Sequence, residues 1–401
     1  MIDFPSLADI VDATSSKIVM LVVDGLGGAR HPETGRSELE TANLPNLDLL
    51  AKESSAGMTV PVLPGISPGS GPGHLALFGY NPMKYFIGRG VLEGLGIDAP
   101  ISHGDVAARG NFCTIDGNGH LTDRRAGRIS SEESRPLCDL LNTIHIPDID
   151  LSVLPVQDYR FVLQMKGKGL SDKLSETDPQ RTRTEPLPAA ALVPEAGKTA
   201  DAVNQFVIQA RKLLSNQNRA NMVLLRGFSQ LPNFPHMGKA YKLRPAAIAA
   251  YPMYRGLARV VGMEVIPTGM TFDDELDTLY KHYQKHDFFY LHYKPADAAG
   301  EDGDFQAKVK ALEELDARIP RLVDLAPDVL VVTGDHSTPS IMAAHSWHPV
   351  PLLIQAAMTK GDGIESFHER ACATGSLGTF PAMHLMLMAL SHAGKLNKYG
   401  P

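Results

Sequence analysis

Cysteine is scarce in this chain: three residues (Cys113, Cys138, Cys372) in 401, with no CxxC pair. That excludes a disulfide framework and points to a reducing compartment. No uninterrupted apolar run approaches the roughly 20 residues that a bilayer span needs. The opening MIDFPSLADIVDATSSK lacks the basic and then apolar regions of a secretory signal. A cytoplasmic protein with no membrane partner is expected. Positive charge is not in excess either, since 38 Lys+Arg against 45 Asp+Glu leave a net −7. A broad basic field is therefore missing and nucleic acid is not the expected partner, although a local basic pocket for a small anion is compatible with the count. What is present is ordinary for a soluble globular chain, 43% hydrophobic and 21% charged, and long enough to suggest two domains.

The pattern along the chain is α/β. KIVMLVVDG (17–25) is a continuous β-branched and apolar run ending in Asp-Gly, as expected of a strand buried on both faces. NLDLLAKES reads as a helix, and VPVLPGISPGSGPGH (60–74) as a sharply bending loop opening into another. From about Ser102 the texture changes: VAARGNFCTID and GHLTD suggest a hairpin across Gly-Asn-Gly. SEESRPLCDLLNTI and DAVNQFVIQARKLLSNQ read as helices, YRFVLQMKG and NMVLLRG as strands, and the polar, proline-rich stretch between them as a long loop. After about Lys239 helices alternate with the strands AAIAAY, MEVIPTG, DFFYLHYK, DVLVVTGDH and VPLLIQA. This order predicts a mainly parallel sheet with helices on both faces, built from 1–101 and 239–401, and a smaller α+β domain inserted at 102–238.

Position singles out the chemistry. Asp24 ends one strand, Asp297 follows another, Asp335 and His336 end a third, and His345 lies in the next loop. Parallel strands open their C-termini on one edge, where ligands bind. Any one such Asp could be a turn residue; several together argue for convergence. Converging carboxylates repel unless cations separate them, and mixed O/N donors suit Mn²⁺, Zn²⁺ or related ions. Ser70, in a Gly-rich turn before a helix, occupies a place where backbone N–H groups favour phosphate. A bound metal would make its hydroxyl a competent nucleophile.

These segments resemble the archaeal-type cofactor-independent phosphoglycerate mutases of the alkaline phosphatase superfamily. The resemblance is carried by VVDGLGG (22–28), PGSGPGHLALFGYNP (68–82), GRGVLEGLG (88–96), DVAARGNF (105–112), DRRAGR (123–128), KPADAAGEDGDF (294–305), TGDHSTP (333–339) and AHSWHPVPLLI (344–354). It implies an alkaline-phosphatase-like fold and an isomerase that interconverts 3-phosphoglycerate and 2-phosphoglycerate through a phosphoserine. Ser70 would accept the phosphoryl group and, with Asp24, Asp335 and His336, hold one ion. Asp297 and His345 would hold a second.

The family's D-x-x-x-H departs here to Asp297-Ala298-Ala299-Gly300-Glu301. A glutamate ligand hardens the site towards Mn²⁺ or Mg²⁺. Mn²⁺ is the first expectation, with Zn²⁺, Co²⁺ or Mg²⁺ as alternatives; His348 is a further imidazole nearby in sequence, with a loop role as its plain reading. Arg109, Arg124, Arg125 and Arg128 resemble the family's substrate-binding arginines, and Arg226 and Arg255 are weaker candidates for gripping a small phosphorylated acid. His103 and Asp105 compete for general acid–base duty, and closure of two domains would exclude water. Two rivals stay open: a phosphomonoesterase or related phosphomutase of the superfamily, and a non-catalytic relative acting as a binding module. Oligomeric state is not readable.

Overall fold

The computed structural model describes residues 1–359 and 361–400. The strands are β1 (Ile18–Val23), β2 (Ser55–Val60), β3 (Val106–Ile115), β4 (Leu121–Asp123), β5 (Asp150–Pro155), β6 (Arg160–Lys166), β7 (Met222–Gln230), β8 (Pro245–Ile248), β9 (Glu264–Val265), β10 (Phe288–Tyr293), β11 (Val329–Thr333), β12 (Val350–Ala356) and β13 (Gly378–Pro381). Two units form: Met1–Phe86 with Phe234 onward, and Ile87–Asn233.

The first unit holds an eight-stranded sheet ordered β13-β2-β12-β11-β1-β10-β8-β9. The five strands from β11 to β9 run parallel, whereas β12 is antiparallel to both neighbours, β11 and β2. Every β1 residue is buried. Val19, Leu21 and Val23 share a core with Leu47, Leu276 and Leu312 from helices Pro45–Glu53, Phe272–His282 and Phe305–Asp316. Ile18, Met20 and Val22 alternate onto the other face and are buried too, which is why the run is apolar without a gap. Truncating one of these, Leu21→Ala, is expected to cost about 2–5 kcal/mol.

In the second unit β4-β3-β6-β5 form an antiparallel sheet, with β7 on the other side of β3. Val106, Ala108 and Phe112 face helices Ser131–Leu141 and Gly197–Leu214 through Cys138, Leu141, Val203 and Phe206. The first of these helices starts at a capping box between Ser130 and Glu133, which satisfies two otherwise orphaned N–H groups.

Three expectations need correction. Residues 87–101 belong to the second unit and 234–238 to the first. The reason is helix Arg89–Gly96, which packs on β3 so closely that a side chain at Gly90 would be driven into the Ala107 carbonyl. MEVIPTG yields only the two-residue β9, because Pro267 and Gly269 follow at once. VPLLIQA (β12) runs against the parallel direction: the sixteen residues between it and β11 hold only the 3-10 turn Ser340–Met342 and no crossover helix of the kind that usually returns a parallel strand. Among the described residues no helix is long and apolar enough to cross a membrane.

Candidate active site

In the first unit β1, β10 and β11 lie side by side, with Val23 opposite Tyr293 and Val22 opposite Thr333. Asp24, Asp297 and Asp335 leave their strands on this common edge. β2 points the same way, being antiparallel to an antiparallel strand, so the loop after it delivers Ser70 to the same rim. Ser70 is the first residue of helix Ser70–Leu77. That helix lies hard against the strand-end loop, because a side chain at Gly73 would collide with the Asp335 carbonyl.

Asp24, Asp335 and His336 present ligand atoms within 4.8 Å of one another, all three residues buried. His336 Nε2 is 3.2 Å from Asp335 Oδ2, 3.4 Å from Asp24 Oδ1 and 3.2 Å from Ser70 Oγ. Thr338 Oγ1 donates to Asp297 Oδ1 (2.6 Å) and lies 3.0 Å from His336 Nδ1. A hydroxyl that donates to the carboxylate must accept from the imidazole, which places a proton on Nδ1; in the neutral ring the lone pair is then on Nε2, towards Ser70. Asp24 Oδ1 and Asp335 Oδ2 are buried and make no well-aligned hydrogen bond, although His74 Nδ1, whose bond goes to the Ser70 carbonyl, lies 3.1 Å from the latter. Two unpartnered carboxylate oxygens and an imidazole lone pair around one hydroxyl form a donor set that fits a divalent cation.

A second group joins Asp297, His336 and His345. The rings of His336 and His345 stack at 3.6 Å between centroids. His345 Nδ1 donates to the Pro68 carbonyl (2.9 Å), which turns Nε2 to Asp297 Oδ1 at 3.6 Å and Glu301 Oε1 at 3.4 Å. Burial would lower His345, but the Glu301 bond, the Pro68 carbonyl and the Asp297 charge hold it up at about 9. Glu301 follows Asp297 by one helical turn on Pro295–Glu301 and is half exposed. His348 instead bonds Ser346 Oγ (2.9 Å) and stacks on Trp347, in keeping with a loop role.

The second unit gathers only part of the arginine set. Arg109 on β3 lies directly opposite Arg226 on β7. Arg109 meets Glu93 at 3.3 Å, and Arg226 meets Glu176 at 3.0 Å and Asp178 at 3.6 Å. Arg124 grips Asp178 in a two-pronged pair at 2.9 and 2.6 Å. Arg125 and Arg128 are exposed on the turn after β4, outside this paired group. Arg255 belongs to the first unit, where it caps the Ala250 carbonyl at 2.5 Å. Asp105 is buried and accepts from Ser102 N and Gln164 Nε2, both at 2.9 Å, which is a structural role. His103 is exposed.

A family model described as 2,3-bisphosphoglycerate-independent phosphoglycerate mutase matches residues 51–219. A probable mutase of that description from Thermosipho melanesiensis is 50% identical over 396 residues, 98% of each chain. The chain belongs to this mutase family. A Thermus thermophilus relative with the same description is 48% identical over 402 residues, 99% of each chain. The solved cofactor-independent phosphoglycerate mutase of Thermoplasma acidophilum shares the fold at TM-score 0.73 and 27% identity, over 94% of this chain and 100% of that one. A Pyrococcus horikoshii structure matches at TM-score 0.83 and 27% identity, over 97% and 100%. Phosphoglycerate mutases are isomerases that act by phosphoryl transfer, and membership makes this chain an enzyme of that kind.

Around its strand-end rim this mutase carries polar groups that sequence reasoning passed over. Lys294 Nζ lies between two carboxylates, 3.0 Å from Asp24 Oδ2 and in contact with Asp297 Oδ2. Tyr254 OH and His292 Nε2 also bond Asp24 Oδ2, the latter at 3.0 Å, and their rings stack at 3.6 Å. Burial would raise Asp24, yet the His292 bond and the Lys294 ammonium hold it well below the usual carboxylate range. Burial also drives His292 down to about 4, so it stays neutral. Asp297 is pushed upward by burial and by the Asp24 charge, against the pull of Lys294. His74 sits behind Asp335 at 3.1 Å and bonds the Ser70 carbonyl at 2.8 Å. In the second unit Arg89 and Arg160 join Arg109 around Glu93, whose side chain is largely shielded from solvent. The usable signal was faint: Lys294 stands three residues before Asp297, one helical turn away, whereas His292 reads as one more core position of an apolar strand.

Proposed function

We propose that this mutase interconverts 3-phosphoglycerate and 2-phosphoglycerate through a phosphoserine on Ser70, without a bisphosphorylated cofactor. The observation that carries the reading is Ser70 Oγ standing 3.2 Å from His336 Nε2 beside two buried, unpartnered carboxylate oxygens. Asp24, Asp335, His336 and Ser70 would hold one divalent cation, and Asp297, Glu301 and His345 a second, with Mn²⁺ favoured by the carboxylate at 301. When bound, such ions lower the pKa of a hydroxyl and neutralise charge on a transferring phosphoryl group.

The chain's own residues do the rest. Ser70 Oγ forms a bond to phosphorus as the ester oxygen of the substrate leaves. The departing hydroxyl takes up a proton equivalent to the one Ser70 gives up. Return of the phosphoryl group to the neighbouring hydroxyl restores Ser70 and yields the isomer. Tyr254, bonded to Asp24 and within reach of Ser70, stays a phenol because burial pushes its pKa far up. It and Lys294 fix the orientation of Asp24. Arg109, Arg124 and Arg226 would offer a carboxylate or phosphate the N–H groups left over from their pairs with Glu93, Glu176 and Asp178, in keeping with a small phosphorylated acid as the partner. A cytoplasmic site of action goes with this chemistry.

The test is turnover of 3-phosphoglycerate by metal-stripped protein refilled with Mn²⁺, Zn²⁺, Co²⁺ or Mg²⁺, with 2-phosphoglycerate and free phosphate measured separately. Formation of 2-phosphoglycerate is expected. Release of phosphate alone would make the protein a phosphomonoesterase, and no turnover of any phosphomonoester with any ion would favour a binding module.

A further inference from the structure

Helix Phe305–Asp316 opens with Asp304, whose side chain caps Ala307 N, and its first turn carries Lys308 inward. Lys308 is fully buried. Its ammonium has three N–H donors and meets three backbone carbonyls: Gly25 at 2.9 Å, Gly27 at 3.0 Å and Thr338 at 2.8 Å. Those carbonyls belong to two loops far apart in the chain. One is the turn that follows Asp24, where Gly25 takes a φ of +66°. The other follows Asp335 and His336.

The loops touch each other directly through little backbone pairing: isolated bridges join Leu26 and Gly27 to Ser337, and Thr338 N donates to the Gly27 carbonyl at 3.0 Å. Without the ammonium, Gly27 O keeps that partner, whereas the Gly25 and Thr338 carbonyls lose a charge-assisted bond in a buried place. Thr338 is also the residue whose hydroxyl spans Asp297 and His336. A shift of its backbone therefore reaches both groups of ligands.

Charge around Lys308 is balanced by residues that hold the same loops. Glu38 and Glu369 face it. Glu369 Oε1 accepts from Gly28 N at 2.8 Å, and Glu38 Oε1 accepts from Ser340 N at 2.7 Å and from Ser340 Oγ at 2.6 Å. An ion pair needed only for burial would be replaceable by apolar side chains. Here every donor of the lysine is spent on backbone within three residues of Asp24 or His336.

We propose that Lys308 is a positioning residue: its ammonium locks the Asp24 loop to the Asp335–His336 loop in the spacing that the cation ligands require. The inference rests on the two-ion reading given above. It makes metal affinity, more than turnover itself, the property that Lys308 controls.

The experiment compares wild type with Lys308→Met and Lys308→Gln, using Mn²⁺ alone as probe. Binding is read by calorimetry and by the rise in melting temperature that Mn²⁺ causes, each against the metal-free form of the same variant. Mn²⁺ affinity is expected to fall about 10–100-fold in Lys308→Met and less in Lys308→Gln, as for loss of groups that orient ligands. At saturating Mn²⁺ kcat should largely return. Equal Mn²⁺ affinity and equal thermal gain in folded variants and wild type would overturn the proposal. So would failure of both variants to fold, which would make Lys308 a requirement of the fold. Absence of any Mn²⁺ effect on wild type would instead count against the two-ion reading itself.

Discussion

The two units present their charged groups in opposite ways. In the first, the side chains of Asp24, Asp335 and His336 are 0% exposed and His74 lies behind them equally buried. In the second, Arg109, Arg124 and Arg226 are 15%, 27% and 30% exposed, each already paired to an acid. Low dielectric strengthens every interaction at the first rim and makes each unpartnered oxygen costly. Its members share partners, with Asp24 touched by Tyr254, His292, Lys294 and His336, so removing one disturbs all. Water screens the arginine face, where effects should be graded and separable. The contrast is one of burial: the carboxylates and imidazoles of the first rim are shielded from solvent, and the arginines of the second unit are partly open to it.

The largest expected effect is at the first rim. Ser70→Ala should lose at least about 1,000-fold in mutase turnover while keeping its melting temperature, measured by the ³¹P signals of the two isomers. A wild-type rate in that variant would end the covalent mechanism. Next comes Asp335→Asn, which keeps the shape and removes one charge. Bound Mn²⁺ and turnover should drop together, by about 100-fold; a loss of turnover with full metal content would break the link between burial and binding.

The arginine face should respond less. Arg124→Ala is expected to raise KM about tenfold and to cost about 1–3 kcal/mol, because buried Asp178 loses its bidentate partner. Exposed Arg125→Ala should change KM by less than about twofold. Equal effects of the two would contradict the graded picture.

The smallest effect is a slope with pH. Burial raises Glu275 from its ordinary 4.5 to about 8, against bonds from Ala250 N and His292 N. Between these values the unfolded chain has released the proton that the folded one retains, so stability must fall as pH rises through this window. Asp178 contrasts: burial would raise it, but the Arg124 bond holds it below its ordinary value, so its contribution is lost as pH falls. Chemical denaturation of metal-free Glu275→Gln from pH 5 to 8 should show a flatter decline than wild type, and an unchanged slope would rule the assignment out.

Much of the first rim was legible because local signals and position coincide there. Asp24 closes an unbroken β-branched run, Asp335 and His336 close another, and Ser70 stands where a Gly-Pro turn meets a helix. Parallel strands convert such positions into one edge. The second unit was less legible. Arg89 opens a helix whose packing on β3 no local pattern reveals, so both it and the boundary at 86/87 were missed. Arg124, Arg125 and Arg128 stand in one six-residue motif, and no local pattern says that Arg124 is the one that pairs with Asp178.

By itself the sequence determined the alternation of helix and strand, the strand-end acids and histidines, and the serine turn. These follow from side-chain periodicity and backbone preferences within a few residues. Only the tertiary structure decided that β12 reverses direction, that Lys294 enters between Asp24 and Asp297, and that Lys308 ties loops separated by more than 300 residues. A lysine in an amphipathic helix looks like any solvated one until the fold shows what its ammonium faces. The partner of a polar group is set by packing, and packing is a property of the whole chain.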